Sequence, residues 1–384
     1  MTGRMKKIKV MIVISNLVYG GAQRQVVELA NNIDKERFNL SICVLSPYIP
    51  MRQELIDGEN GFFVVEKKAK FDLTVATRLA KILKQQAIDI VHGYLFDAEI
   101  AVRLAGKLAG TRIILGSERN CYHRYGGHQL LAYKITRNWV DWIVANSRAG
   151  AAFNRSLLGY DDERYRVVHN GVNMDKFKPV ENKVEAKQKH GIGDEPVIGM
   201  FASFKKQKRH DTFFLAANEV LKKIPNIKLL LVGDVLFQAK EGSDEYKNSI
   251  MELVDRLGLR DNCLFLGNQG NVEEFYNLCD LTVLPSEYEG TPNVILESMS
   301  CGVPVIASDV ADNSLVIEDG KSGHLFTLNA HAELAEKWIE LLENEPVRSQ
   351  MAKDARARIF EEFSTQKLAE KTEAMYQEFY SLKN

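Results

Sequence analysis

One stretch, Leu284-Pro-Ser-Glu-Tyr-Glu-Gly-Thr-Pro-Asn-Val-Ile-Leu-Glu-Ser-Met-Ser-Cys-Gly-Val-Pro-Val-Ile-Ala307, leaves the chain few folds to choose from. It reads as the end of a buried strand (Leu281 to Leu284), a polar loop with Gly290 and Pro292, a helix opening near Asn293, a stop at Gly302, and another apolar strand. Units of this kind build sheets wrapped by helices. Carboxylates stand at the mouth of this one. Glu289 lies in the loop and Glu297 follows Asn293 by four residues, so both face one site if Asn293 begins the helix.

Free N–H groups at a helix entrance suit an anion or a row of sugar hydroxyls. A carboxylate there accepts hydrogen bonds from hydroxyls, and two of them can grip two sugars separately. The plainer alternative is that Glu289 and Glu297 are ordinary helix-start acids favoured by the macrodipole. Both readings stand on the acids alone.

The rest of the chain repeats the pattern. Short β-rich runs (Ile8 to Ile14, Leu40 to Leu45, Phe62 to Val65, Ile88 to His92, Arg112 to Leu115, Trp142 to Ala145, Tyr165 to Val168) alternate with segments of helical spacing such as Gln23 to Asn32, Val75 to Gln86 and Ala98 to Leu108. A second series holds Val197 to Phe201, Leu229 to Val232, Cys263 to Leu266, Leu281 to Leu284 and Val303 to Ala307. Alternation implies a parallel sheet covered by helices, twice over. The expectation is an α/β chain of two Rossmann-like, doubly wound domains facing each other across a cleft: residues 1–177, a polar linker 178–195, and residues 196–364.

A chain of 384 residues suits two such domains. Its 50 basic and 51 acidic residues nearly cancel, which argues against a general nucleic-acid binder. The five cysteines (Cys43, Cys121, Cys263, Cys279, Cys301) are far apart and read as reduced residues of a cytoplasmic protein, neither a disulfide framework nor a zinc site. No run reaches the ~18 apolar residues of a membrane span.

With its Glu-x7-Glu spacing, the Gly-Thr-Pro-Asn between and the Cys-Gly-x-Pro-Val after, the stretch around Glu289 closely resembles the donor-sugar motif of the retaining glycosyltransferases of family 4, which have the GT-B fold. The resemblance implies roles along the whole chain. Glu289, with the backbone of Gly290, Thr291, Pro292 and Asn293, would take the transferred sugar, and Glu297 the ribose. Lys208, in Lys205-Lys-Gln-Lys-Arg209, matches the family's phosphate-binding lysine. Ser203 stands where an arginine is usual, so Lys205 is the candidate for the second charge. Gly233 and Gly267 end strands that resemble the ribose and base loops. Gly20-Gly21 resembles the glycine loop that approaches the diphosphate. His92 fits the family's Asp-x-x-His pattern at a strand end, although a lone histidine serves structure as readily as chemistry. Many relatives have a histidine near the reacting sugar where this chain has Glu118-Arg119, which leaves those two as candidates to orient the acceptor. The helical stretch Thr365 to Leu382 resembles the segment that crosses back to the first domain.

No two aspartates are separated by one residue, so the Asp-x-Asp metal site of the other common glycosyltransferase fold is missing. The expectation is transfer without a metal or cofactor. The donor is a nucleotide sugar, UDP-linked as is common among relatives, and the acceptor a saccharide or lipid-linked saccharide. Lipid-linked acceptors leave contact with the inner membrane face open, but Lys6, Lys7 and Lys9 are too few to argue it. A sugar-nucleotide epimerase of the same architecture and an inactive nucleotide-sugar-binding protein are the alternatives.

Overall fold

The computed structural model of the chain describes residues 6–56, 61–69, 72, 74–119, 125–235 and 243–383. Cys121 lies outside them. The chain divides into two compact units, Met1–Gly171 with Thr365–Asn384, and Val172–Ser364.

In the first unit seven parallel strands run β1 (Ile8–Ile14), β2 (Phe38–Val44), β3 (Phe62–Val64), β4 (Ile90–Tyr94), β5 (Ile113–Glu118), β6 (Trp142–Ala145) and β7 (Tyr165–Val167), in the order β3-β2-β1-β4-β5-β6-β7. Alternate residues of β1 feed opposite cores. Val10, Ile12 and Ile14 pack with helices Gly21–Asn32 and Thr365–Leu382, while Met11 and Val13 pack with helices Thr74–Gln86 and Phe96–Ala109. The last helix is fixed by Trp142 stacked on Phe379 at 4.1 Å and by Arg37 paired with Glu373 at 3.0 Å. Residues 365–382 are thus part of the first sheet's covering.

The second unit has six parallel strands, β8 (Val197–Phe201), β9 (Lys228–Val232), β10 (Cys263–Gly267), β11 (Leu281–Leu284), β12 (Val305–Ser308) and β13 (His324–Phe326), in the order β10-β9-β8-β11-β12-β13. Its faces are covered by helices His210–Leu221 and His331–Glu343 on one side, and by Asn293–Ser300 and Glu345–Arg358 on the other. Both sheets reverse direction of winding, at β1/β4 and at β8/β11. Loops beyond the carboxyl ends of strands at such a reversal are splayed apart and leave a crevice for ligands.

Three expectations change. The stretch 178–195 is no free linker: the chain leaves the first unit at Gly171, and 178–195 carries the helix Lys183–Lys189, whose Lys183 and Lys187 pair with Asp280 beneath β8 and β11. Strand β13, His324–Phe326, escaped the sequence reading because only three residues pair there. Strand β4 runs on to Tyr94, which moves His92 from a strand end to a strand middle. The extension needs Gly93, because a Cβ there would meet Glu99 Cα at 2.8 Å and Val102 Cγ2 at 2.7 Å. Among the described residues no helix is long and apolar enough to cross a membrane.

Candidate functional site

In the second unit the sheet order puts β8 beside β11, and the loops that follow them meet. The basic run after β8 is a 3-10 turn, Lys206–Lys208, and not the opening of the helix; Arg209 then adopts a left-handed φ of 52° before helix His210–Leu221 begins. That turn is fastened to the acidic loop by backbone and side chain alike. Glu287 N–H donates to Gln207 O at 2.8 Å, and Gln207 Nε2 donates to Tyr288 O at 2.6 Å. Next to these, Lys208 Nζ forms an ion pair with Glu289 Oε1. Lys205 is the neighbouring cation: desolvation and the charge of Lys208 pull its ammonium below the usual range, with Glu289 opposing.

Glu289 is only 8% exposed, and Gly290, Thr291 and Pro292 beside it are buried. Helix Asn293–Ser300 starts where the sequence placed it, with extended Pro292 as its cap residue. Glu297, in that helix, is 7% exposed and accepts a hydrogen bond from Tyr276 Oη at 2.9 Å. Tyr276 is itself stacked on Phe201 at 3.7 Å, so the carboxylate is held by a rigid partner. Sequence reasoning missed Tyr276; its place in helix Val272–Tyr276 gave no sign of a partner twenty-one residues ahead.

The strand ends of β9 and β10 close the same side. Gly233, at φ 129°, approaches so near that a Cβ would sit 2.2 Å from Ala202 O, and its N–H donates to Gly267 O at 2.8 Å. Ser203 is thereby placed against the β9 loop. Beyond them Asp234 N–H donates to Asn268 Oδ1 at 3.1 Å, and Lys247 Nζ donates to Asp234 Oδ1 at 2.5 Å. The second unit therefore collects Ser203, Lys205, Lys208, Gly233, Gly267, Glu289 and Glu297 at the carboxyl ends of its strands. Two cations and two carboxylates there can hold a doubly charged anion flanked by hydroxyl-bearing groups.

The first unit treats its candidates differently. Gly20 and Gly21 are exposed at the start of helix Gly21–Asn32, their loop tied by Gln23 Nε2 donating to Asn16 Oδ1 at 2.9 Å. His92 is 0% exposed, with Nδ1 2.8 Å from Tyr376 Oη. Burial, followed by the charge of Arg119, lowers its pKa to about 3, so the ring is neutral. The strand-end placement of His92 is corrected: it sits mid-strand between Ile12 and Leu115, its Nδ1 meeting Tyr376 of the helix Thr365–Leu382.

Glu118 is the last residue of β5, paired with Ala145, and is 6% exposed. Its Oε1 accepts from Tyr165 Oη at 3.0 Å, and burial together with the nearby charge of Glu99 raises its pKa to about 8. Burial and the Glu99 charge thus favour the protonated form of Glu118, whose Oε1 faces a network of buried side chains. That network holds Arg103, donating to Glu99 Oε2 at 3.0 Å and to Tyr160 Oη at 3.0 Å, with Tyr133 Oη 3.2 Å from Glu99 Oε1. The i,i+4 spacing of Glu99 and Arg103 on an otherwise alanine- and leucine-rich helix was the available signal. Arg119 donates to Asn170 Oδ1 at 2.5 Å and lies over the Tyr94 ring.

Two cavities open in the first unit. One of about 560 Å³ lies at the amino ends of β1 and β2, around Lys7, Phe38 and Asn39, the wrong end for a ligand of a doubly wound sheet. The other, about 470 Å³, lies at the carboxyl ends and is walled by Ser15, Leu95, Phe96, Asp97, Lys67 and His128. Its position makes it the relevant one. Leu95, in its wall, holds a φ of 70° that a leucine rarely adopts, the kind of strain found near functional sites. Among the described residues no group of three or more His, Cys, Asp or Glu is arranged to hold a metal ion.

Comparison with known proteins matches residues 19–176 to the family described as Glycosyltransferase Family 4 and residues 182–358 to that described as Glycosyl transferases group 1. The N-acetyl-alpha-D-glucosaminyl L-malate synthase of Bacillus anthracis is 28% identical over 80% of this chain and 79% of its own length. The UDP-Gal:alpha-D-GlcNAc-diphosphoundecaprenol alpha-1,3-galactosyltransferase of Escherichia coli is 26% identical over 96% of this chain and 97% of its own. Among solved structures, Anabaena HepE in complex with UDP superposes with a TM-score of 0.83 over 97% of this chain and 100% of that one, at 19% identity, a likeness of fold.

Proposed function

This chain belongs to glycosyltransferase family 4, group 1, and has the GT-B fold; from that premise we propose which transfer it carries out. It moves a hexose or N-acetylhexosamine from a nucleotide sugar, UDP-linked, to a saccharide or lipid-linked saccharide acceptor, with retention at the anomeric carbon and without a metal. The observation that carries this reading is the meeting of the Lys205–Lys208 turn with the Glu289 loop at the β8/β11 reversal. Bound UDP in HepE and the UDP-galactose named for the Escherichia coli relative support the choice of base.

In this reading Lys208 and Lys205 meet the negative charge that gathers on the leaving diphosphate, as donors already in place. Glu289 and the Gly290–Asn293 backbone hold the transferred sugar, and Glu297, steadied by Tyr276, takes the ribose hydroxyls. Gly233 and Gly267 let the backbone approach the nucleoside closely. The exposed turn at Gly20, at the start of helix Gly21–Asn32, suits a phosphate. The 470 Å³ cavity takes a sugar of the acceptor: Phe96 offers a ring face, and Asp97 and Lys67, paired at 2.7 Å, offer hydroxyl partners.

The test is incubation of the pure protein with a panel of UDP-sugars, with and without EDTA. Slow release of UDP, unchanged by EDTA, is the expected outcome. A new sugar isomer would mean an epimerase, and loss of release in EDTA with recovery in magnesium would overturn the metal-free reading.

A further inference from the structure

Glu297 and Glu289 are both buried carboxylates of the donor site, yet they are held in chemically different ways. Glu297 leans on a neutral phenol, Tyr276, which a nucleotide diphosphate has no reason to take. Glu289 leans on the ammonium of Lys208, which is the group a diphosphate binds. Both cannot have the lysine at full strength.

We propose that Lys208 and Glu289 are an exchangeable pair that makes the site discriminate against a nucleotide that has lost its sugar. The inference rests on the reading of the second unit as the donor site. When the diphosphate draws Lys208 away, the Glu289 carboxylate is left buried among Gly290, Thr291 and Pro292, where a lone charge is costly. An intact nucleotide sugar relieves this, because the hydroxyls of its sugar replace the lysine as hydrogen-bond donors. Free UDP brings none. Lys205, the other cation near the pair, shares in the exchange; desolvation and the charge of Lys208 lower its pKa, with Glu289 opposing.

Geometry makes the exchange short. Gln207 fastens the lysine turn to the acidic loop through Glu287 N–H and Tyr288 O, so neither loop has to move for Lys208 to swing from one partner to the other. After transfer the sugar departs with the acceptor, Glu289 is bare, and Lys208 returns to it. The pair thus favours loading of the donor and expulsion of the spent nucleotide.

Calorimetric titration of UDP into the wild-type protein, Glu289→Gln, Lys208→Ala and the double variant tests this as a cycle. Glu289→Gln is expected to bind UDP about tenfold more tightly, the scale of a recovered charged hydrogen bond. In the Lys208→Ala background the same change is expected to alter UDP affinity by less than about twofold. An equal gain in both backgrounds would mean simple repulsion between Glu289 and the diphosphate, and would overturn the exchange, as would no gain or a loss. Thermal unfolding of all four proteins guards against a folding defect; if Glu289→Gln is unstable, Glu289→Ala takes its place with the same expectation. A wild-type protein that binds no UDP at all would overturn the reading of function, and this one with it. Binding by the wild type without the lysine-dependent gain overturns this one alone.

Discussion

In the first unit Arg103 and Glu99 form an ion pair whose side chains are 0% and 3% exposed; in the second, Lys208 and Glu289 form one whose side chains keep 17% and 10%. The two sheets have the same winding, but the first pair lies within helix Phe96–Ala109 and the second joins two loops at the carboxyl ends of strands. Around Arg103 every neighbour is built in: Tyr133, Tyr160, Thr136 and, beyond them, Glu118, its protonated form favoured by burial. Around Lys208 only part of the shell is protein. A pair sealed on all sides is fixed by its surroundings and serves the fold, whereas one with a solvent-facing flank can be competed for by a solute of matching charge.

Breaking the sealed pair should cost the most. Arg103→Met leaves Glu99 buried without its cation and should lower unfolding stability by about 3–5 kcal/mol, read by urea titration; adding Glu99→Gln should return a good part of it. If Arg103→Met alone were neutral, the sealed pair would not be structural. At the open pair, Glu289→Gln should reduce turnover about a hundredfold or more, as for loss of a group acting on the reacting sugar, with thermal stability close to wild type. Equal losses in stability and turnover would erase the distinction between the pairs. Lys208→Ala should weaken transfer by about 1.5–3 kcal/mol in kcat/KM, and unchanged kinetics would remove it from the site.

A further contrast concerns pH. The Glu118 carboxyl has a folded pKa of about 8 against an ordinary 4.5, so the folded state holds a proton that the unfolded state has released between those values. Its contribution is complete below about 4.5 and is lost as pH rises towards about 8. Glu118→Gln keeps the shape without the proton. The stability difference between variant and wild type should therefore grow in the variant's favour from pH 5 to 8, at no more than about 1.4 kcal/mol per pH unit. A difference that stays flat would mean that Glu118 is ionised in the folded protein.

The second unit was the more legible of the two, for a physical reason. Its site is made of loops whose glycines, prolines and charges declare themselves against apolar strands, and β11 and the Asn293 helix followed from them, while Lys208 was singled out through the family resemblance. In the first unit the candidates lay on the strands themselves. His92 looks like a terminus because it is polar and precedes Gly93, but that glycine is there for the close packing of helix Phe96–Ala109, and the strand continues beneath it. Glu118 became a candidate because it stands where many relatives have a histidine; its burial depends on tertiary neighbours, Tyr165 and Glu99, that are scattered through the sequence. The unit boundary at Gly171 was hidden for a similar cause, since the polar residues after it are tied to Asp280 a hundred positions on.

The helix Thr365–Leu382 also sets an order of events during synthesis. The face of the first sheet that bears Val10, Ile12 and Ile14 is completed by Leu368, Met375, Tyr376 and Phe379, which leave the ribosome only after all of Val172–Ser364. The inserted unit is contiguous and needs nothing that follows it, so it should mature first, while its predecessor waits with an apolar flank uncovered and in need of a chaperone. Nascent chains stalled just past Ser364 should then yield a protease-resistant fragment from the inserted unit and rapid cleavage before Gly171; equal protection of both would contradict that order.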